Sequence, residues 1–224
     1  MTVRTRKLAL AFPLATCAFV VVWVAVDFFD RTRQSLRDFD PHEVARLETR
    51  MWRSYYDHRS LRLFADLVTL LRDQYHLPFW CACAGAYHAA HAAVVFQPGH
   101  NEGEYRRALP DLEAYYTLIH RASDTPFSIE GASARELQWW IVHRERAQHQ
   151  PGDLGHALAA LQAEIFQMPE AQFSDHAKLR AEATVLCDQR AGEGRAAEEH
   201  WARILATLDQ SWTLLYQRVN QKEN

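Results

Sequence analysis

The sequence feature that most constrains this chain is an uninterrupted apolar run near its start. Residues 8–26 read LALAFPLATCAFVVVWVAV and contain no charged side chain. A helix of about nineteen residues extends roughly 28 Å, which is close to the thickness of the hydrocarbon core of a bilayer. We therefore predict a short tip over residues 1–7 and a transmembrane anchor over residues 8–29, with residues 8–26 in contact with the lipid bilayer.

The flanks of this run predict a permanent anchor with one orientation. A cleaved signal peptide has a shorter apolar core followed by a small-x-small site, whereas this run ends in Trp-Val-Ala-Val-Asp-Phe-Phe. A signal peptide and a buried core helix are the alternatives. The basic residues Arg4, Arg6 and Lys7 before the run, and Asp27 and Asp30 after it, predict a cytoplasmic N-terminus. The rest of the chain would then be an extracytoplasmic domain on a single-pass protein of the plasma (inner) membrane.

The charge balance after the run argues against nucleic acid as a partner. All 28 acidic residues follow the run, whereas three of the 25 basic residues precede it, so the remaining chain is mildly acidic. A protein that binds nucleic acid needs clustered positive charge. We therefore predict no nucleic-acid partner.

The remaining chain predicts an all-α fold. A linker over residues 30–39 leads to Asp40 and Pro41, which predict a helix start, with Glu43 completing a capping box. Apolar residues then recur at helical spacing, and no segment alternates as a strand would. The domain over residues 40–220 is predicted to contain about eight helices in antiparallel hairpins, at 40–57, 60–76, 79–96, 104–120, 132–147, 153–166, 174–190 and 196–219.

Local signals also predict details of individual helices. Asp153 and Ser174 are predicted to cap the helices that they begin, and Pro110 is predicted to mark either a kink or a late start. The second helix is predicted to bury one apolar face, formed by Leu61, Phe64, Leu67, Val68 and Leu71.

Two architectures remain open for these hairpins. Turns at Pro98-Gly99, Pro151-Gly152 and Gly192-Glu193-Gly194 recur at intervals of roughly 40 to 55 residues. The pattern resembles tetratricopeptide-like hairpin arrays, but the spacing is irregular and exceeds their period of about 34 residues. The domain is therefore either a helical bundle or a short α-solenoid with a concave face for a partner.

One segment carries a further resemblance. The sequence LETRMWRSYYD at residues 47–57, together with LPFW, ALPDL and WWIVHRER, resembles uncharacterised single-span bacterial proteins of all-helical type. This resemblance implies an all-helical fold and a location in the cell envelope. It implies no activity and assigns no functional residue.

A pair of histidines is the candidate metal site. His88 and His91 lie three residues apart, so they share one face of a helix and could both bind one metal ion. Carboxylates such as Glu48, Glu136 or Glu182 could complete the ligand set from other helices. The alternative is that both histidines are structural.

The cysteines are predicted to be small buried side chains. Cys81 and Cys83 are two residues apart on a predicted helix, so they point in different directions and cannot chelate one metal together. Cys187 could pair with either of them only if their helices touch.

The candidate recognition cluster combines the densest group of polar and aromatic side chains, at residues 48–56, with a second group at Trp139 and Arg144. Its arginines could bind an anionic group while its aromatic rings supply a contact surface. The alternative is that these side chains pack and pair between helices. The cluster consists of Glu48, Arg50, Trp52, Arg53, Tyr56, Trp139 and Arg144.

These observations leave two classes of function. The favoured one is a membrane-anchored helical interaction or scaffold domain at the cell envelope that docks a protein or peptide partner, with no catalytic residue and no cofactor. The alternative is a metal-dependent enzyme whose site lies inside the helical bundle. Phosphate-binding glycine loops, His-Glu-x-x-His, Gly-x-Ser-x-Gly and Cys-x-x-Cys do not occur in the sequence.

Overall fold

The computed structural model describes residues 16, 18–30, 32–189 and 194–221, and it is all-helical over those ranges. Gln34 and Ser123 form an isolated bridge there, and the described residues contain no strand. Short 3-10 turns occur at Arg106–Ala108, Arg146–Gln148 and Glu170–Phe173. The α-helices are α1 (Ala18–Phe29), α2 (Pro41–Tyr56), α3 (Ser60–Asp73), α4 (Phe79–Phe96), α5 (Glu102–Tyr105), α6 (Leu109–Ala122), α7 (Ile129–Arg144), α8 (Asp153–Phe166), α9 (Ser174–Asp188) and α10 (Arg195–Asn220).

The long helices from α2 to α10 pack as a bundle that closes on itself. Each of α2, α3, α4, α6, α7, α8, α9 and α10 packs on its neighbours along the chain, and α10 returns to pack on α2. An open solenoid would leave its first and last helices apart. We call this closed arrangement the helical ring.

The start of the ring follows from local chemistry. Asp40 caps α2, because its Oδ1 accepts hydrogen bonds from the backbone N–H groups of His42 and Glu43. The predicted capping box is wrong in its second half: the Glu43 carboxylate binds Arg46, and the Asp40 N–H donates to Oε1 of Gln74 at 2.8 Å. This bond ties the start of α2 to the end of α3.

The predicted buried face of α3 is partly wrong. Leu61 is 89% exposed and Phe64 is also exposed, whereas Leu70 and Leu71 are buried. Leu63, Leu67 and Leu70 instead line a cavity inside the ring. The buried side of α3 therefore keeps Leu67, Val68 and Leu71 of the predicted face, and Leu63 and Leu70 lie on it in place of Leu61 and Phe64.

Three predictions about helix starts have different outcomes. Pro110 lies in the first turn of α6, after a separate short helix and a 3-10 turn, which confirms a late start. Asp153 does not cap α8, because Gly152 occupies the cap position with a φ of 104° that favours glycine. Ser174 does not cap α9 either, since its hydroxyl donates to the Ala171 carbonyl. Of the predicted turn at Gly192-Glu193-Gly194, Gly192 and Glu193 lie outside the described residues, and Gly194 occupies the cap position of α10.

The predicted anchor is only partly described. Residues 1–15 and residue 17 lie outside the described residues, and the described part, α1, is too short to span a bilayer alone. Among the described helices, α4 is long and apolar enough to cross a membrane by length and composition. However, α4 packs between α3 and α6 and buries Ala82 and Gly85, and a core helix passes the same test.

The chain before α2 closes one end of the ring. The Gln34 N–H donates to the Ala122 carbonyl at 2.8 Å, and Nη1 of Arg37 donates to the Val219 carbonyl at 3.1 Å. Leu36 between them is buried. We call residues 32–40 the plug segment.

Candidate functional site

The helical ring encloses a cavity of about 850 Å³. Pockets for small molecules generally measure about 300–1,000 Å³. Every helix of the ring contributes to the wall, and most of the lining is aliphatic or aromatic. The plug segment contributes Leu36 and Phe39 to the wall. The ring therefore surrounds space that its own side chains do not fill.

The cavity reaches the surface at the end of the ring opposite the plug segment. Its lining there includes Tyr55 and Tyr56 at the end of α2 and Arg146 after α7, all of which are exposed. At the other end, Phe39 packs edge-on against Trp212 and Tyr216, with ring centroids 6.1 Å and 5.5 Å away. The cavity therefore has a mouth and a closed floor.

An ion pair between α2 and α9 lies deep in the cavity wall. Glu48 is 4% exposed, and its Oε1 accepts from Nε and Nη2 of Arg180 at 3.2 Å and 2.8 Å. Its Oε2 accepts from the Trp212 indole N–H at 2.6 Å. The Arg180 guanidinium also lies 5.5 Å from the ring centroids of both Trp139 and Trp212. Each charge of this pair is therefore compensated inside the protein.

A second carboxylate, Glu136 of α7, lies in the same wall, and its hydrogen-bond partners among the described residues are neutral donors. Its Oε2 accepts from the Tyr116 hydroxyl at 2.8 Å, and its Oε1 accepts from the Trp140 indole N–H at 3.0 Å. Glu136 is half-buried and lines the cavity. Each carboxylate oxygen can accept a further hydrogen bond, so this group can still bind a donor inside the cavity.

Two tyrosines near Glu48 and Glu136 have raised pKa values and therefore stay neutral. Burial raises the pKa of Tyr75 to about 12, and the carboxylates of Glu48 and Glu136 add to that rise. Burial likewise raises the pKa of Tyr115 well above its ordinary value, with Glu136 contributing. Both rings line the cavity, so they present neutral aromatic surface to its interior.

A separate polar cluster lies at the mouth. The Asp188 carboxylate accepts from the Tyr56 hydroxyl at 2.7 Å, lies 3.0 Å from Nε2 of His143, and pairs with Arg146. Burial alone would raise the pKa of Asp188, but the bonds from His143, Tyr56 and Arg146 lower it well below its usual range. These contacts tie the ends of α2, α7 and α9 together around the mouth.

The structure divides the candidate recognition cluster into two groups. Arg50 and Arg53 do not line the cavity, because Arg50 pairs with Asp66 of α3 and Arg53 pairs with Glu198 of α10. Arg144 is already engaged, since its Nη1 donates to the carbonyls of Gln97 and Gly99. The members that line the cavity are Glu48, Trp52, Tyr56, Trp139 and Arg144.

Sequence reasoning missed Arg180, which is the only basic partner of Glu48 in the described ranges. The position of Arg180 in the sequence did indicate an internal role. Arg180 lies between Ala177 and Thr184 at helical spacing, and both of those residues are buried. A single charged residue on the buried stripe of a helix indicates an internal partner or a ligand.

The histidine pair lies on a different face of α4 from the cavity. Ala89, Ala90 and Ala93 line the cavity, whereas Nδ1 of His88 and Nδ1 of His91 lie 2.8 Å and 2.6 Å from the two oxygens of Asp111. Burial raises the pKa of Asp111, but these hydrogen bonds outweigh it and lower the pKa below its ordinary value.

The predicted carboxylate ligands are not beside this pair. Glu48 and Glu136 are bonded within the cavity wall, and Glu182 lies 3.7 Å from Arg203 on the outer side of the ring. The described part of the chain holds no group of three or more His, Cys, Asp or Glu residues that could bind a metal ion. Cys81, Cys83 and Cys187 are free.

Comparison of the chain with protein-family models, with curated proteins and with solved structures gave no match. The class of this protein is therefore defined by its own geometry. It is an all-helical ring with an internal cavity that is mainly apolar, and the deep part of the cavity wall carries the carboxylates of Glu48 and Glu136 and the guanidinium of Arg180.

Proposed function

We propose that this protein is a membrane-tethered helical binding domain and that its ligand is a small molecule held inside the helical ring. The observation that supports this proposal is the cavity of about 850 Å³, which every helix of the ring lines. A void of this size leaves many side chains without packing partners, which costs stability unless a ligand or solvent occupies it. The mixture of apolar walls and a few fixed polar groups is typical of ligand pockets.

The internal position of the site favours a small molecule over a folded partner. In the described ranges, another protein could reach the cavity lining at the mouth, near Tyr55, Tyr56 and Arg146. The protein or peptide partner predicted from the sequence remains a separate proposal, and the cavity does not require it. The metal-dependent enzyme gains no support, because His88 and His91 lie outside the cavity.

We also propose that the N-terminal run anchors this domain with its mouth away from the bilayer. The apolar side chains of α1 are unusually exposed, with Val21 at 66% and Val26 at 64%, which fits an apolar surrounding such as lipid. The Asp27 carboxylate accepts from the backbone N–H groups of Trp80 and Cys81 at the start of α4. That is the end of α4 opposite Gln97, which lies near the mouth.

Photolabelling tests the proposed function. The full chain in lipid nanodiscs is irradiated with benzophenone, a neutral photoreactive probe, and the labelled peptides are identified by mass spectrometry. We expect adducts on cavity-facing residues of several ring helices, such as Met51, Leu112 and Ile165.

A matched pair of variants on α4 supplies the control. Ala93→Phe adds a ring inside the cavity and should strongly reduce this labelling. Val94→Phe adds the same ring at the next residue, which is 65% exposed, and should leave labelling unchanged. Labelling that is confined to the outer surface, or that Ala93→Phe does not reduce, would exclude the cavity as a binding site.

A further inference from the structure

We infer that the cavity selects a ligand with a positively charged amine, whose ammonium group binds beside Glu136. This inference rests on the proposed function and adds the chemical class of the ligand. It is carried by three features of the cavity wall: its charge, the partners of each charged group, and the aromatic surface around Glu136.

The deep part of the cavity has one more negative than positive group. Glu48 and Glu136 are the carboxylates of the deep wall, and Arg180 is its guanidinium. Arg180 is committed to Glu48 by two hydrogen bonds, so it is not free to neutralise Glu136 fully. The other charged groups that line the cavity lie toward the mouth, where Asp188 pairs with Arg146 and Arg144 donates to the carbonyls of Gln97 and Gly99. The charged group of the deep wall that has no ion-pair partner among the described residues is therefore Glu136, whose charge Arg180 offsets only in part.

Of the two carboxylates in the deep wall, Glu48 and Glu136, Glu136 is the more accessible to a ligand. Glu48 is buried, and its oxygens receive three donors from Arg180 and Trp212. Glu136 has one neutral donor on each oxygen and retains surface in the cavity. Partial burial of a carboxylate without an ion-pair partner is costly, and a ligand cation would reduce that cost.

The rings beside Glu136 suit a cation. Tyr116 and Trp140 bond to its two oxygens, and Tyr115 packs edge-on against Tyr116 with centroids 5.1 Å apart. Tyr75 and Trp139 also line the cavity. Faces of aromatic rings attract ammonium groups, most strongly where water is excluded.

The same charges disfavour an anionic ligand. An anion that approached Arg180 would also approach Glu48, which is bonded to it, and would feel the field of Glu136. Arg144 is not an alternative binding group for an anion, because its Nη1 already donates to the carbonyls of Gln97 and Gly99. The cavity wall therefore discriminates by the sign of the ligand charge.

Three probes of one skeleton test the inference: 4-phenylbutylamine, 4-phenylbutan-1-ol and 4-phenylbutanoate. Each is titrated into the full chain in lipid nanodiscs by calorimetry, with empty nanodiscs subtracted. We expect the amine to bind at least about tenfold more tightly than the alcohol, and the carboxylate to bind most weakly. This ranking needs no variant of the protein.

A pair of variants assigns the selectivity to one residue. Glu136→Gln keeps the size of the side chain and removes its charge, so the amine should lose its advantage while the alcohol binds as before. Glu182→Gln removes a charge from the surface of α9 and should preserve the wild-type ranking.

The outcomes separate the inference from the proposed function. If the alcohol or the carboxylate binds as tightly as the amine, the selectivity for amines is wrong and the binding cavity stands. If none of the three binds, or if Ala93→Phe does not weaken their binding, the proposed function itself is wrong. If Glu136→Gln folds and retains the full preference for the amine, Glu136 is not the group that binds it.

Discussion

The Glu48–Arg180 pair gives the sharpest prediction about stability. In Glu48→Gln the side chain keeps its size, but Arg180 loses its bonded counter-charge in a site where both partners are largely buried. The Gln amide has one oxygen and one NH2 group where Glu48 has two oxygens. Its NH2 group must therefore face an N–H donor, either that of Arg180 or that of the Trp212 indole. Removing one partner of a buried pair costs about 3–5 kcal/mol. Because Glu136 still offsets part of the Arg180 charge, we expect a loss of about 3 kcal/mol.

Urea denaturation followed by far-UV circular dichroism measures this loss on the full chain in detergent micelles. Glu198→Gln is the control, because it removes an exposed carboxylate that pairs with Arg53, and it should leave the transition unchanged. Glu48→Gln combined with Arg180→Met should be more stable than Glu48→Gln alone, since the guanidinium that Glu48→Gln leaves without its bonded counter-charge is then removed. A loss below about 1 kcal/mol for Glu48→Gln would refute a buried pair at this position.

Two further predictions concern other parts of the ring. Burial lowers the pKa of His176 to about 3, so the unfolded chain binds a proton below about pH 6.5 that the folded chain excludes. The free energy of unfolding should therefore fall by up to about 1.4 kcal/mol per pH unit as the pH drops from 6.5 towards 3, and His176→Asn should flatten that slope between pH 6 and 4.5 in urea titrations. At Gly99 a Cβ atom would lie 2.8 Å from Cδ1 of the buried Tyr105, so Gly99→Ala should lower stability by about 1–3 kcal/mol. Gly155→Ala, where the nearest atoms are 3.9 Å away, should not lower it, and equal losses in the two variants would contradict the close contact at Gly99.

Features that depend on neighbouring residues could be predicted from the sequence. The start of α2 follows from Asp40 and Pro41, and the bounds of α4 match the prediction, because capping and helix-breaking act within a few residues. Closure of the ring could not be predicted, since it depends on α10 packing against α2 at the other end of the chain. The face of α3 was predicted only in part, because Leu61 and Phe64 fit the helical period as well as Leu63 and Leu70 do.

The candidate site was predictable only in part, for a geometric reason. Glu48, Trp52 and Tyr56 are four residues apart in α2, so they share the face that lines the cavity. Arg50 and Arg53 belong to the same dense segment but project from other faces, where they pair with α3 and α10. A segment that is dense in polar and aromatic residues therefore identifies a site only when the face of the helix from which each side chain projects is also considered.

The pairing of charges across the cavity lies beyond the reach of a single sequence. Glu48 and Arg180 are 132 positions apart, and nothing local to either residue identifies its partner. The same holds for the bond between Glu136 and Tyr116, which joins α6 to α7.

The most direct test of a ligand-binding ring is an experimental structure of the full chain in lipid nanodiscs with 4-phenylbutylamine. We predict density for one molecule inside the ring, with its ammonium nitrogen within hydrogen-bond distance of a carboxylate oxygen of Glu136. A ring whose helices have collapsed across the cavity, or a cavity that contains only water at saturating amine, would contradict the proposal.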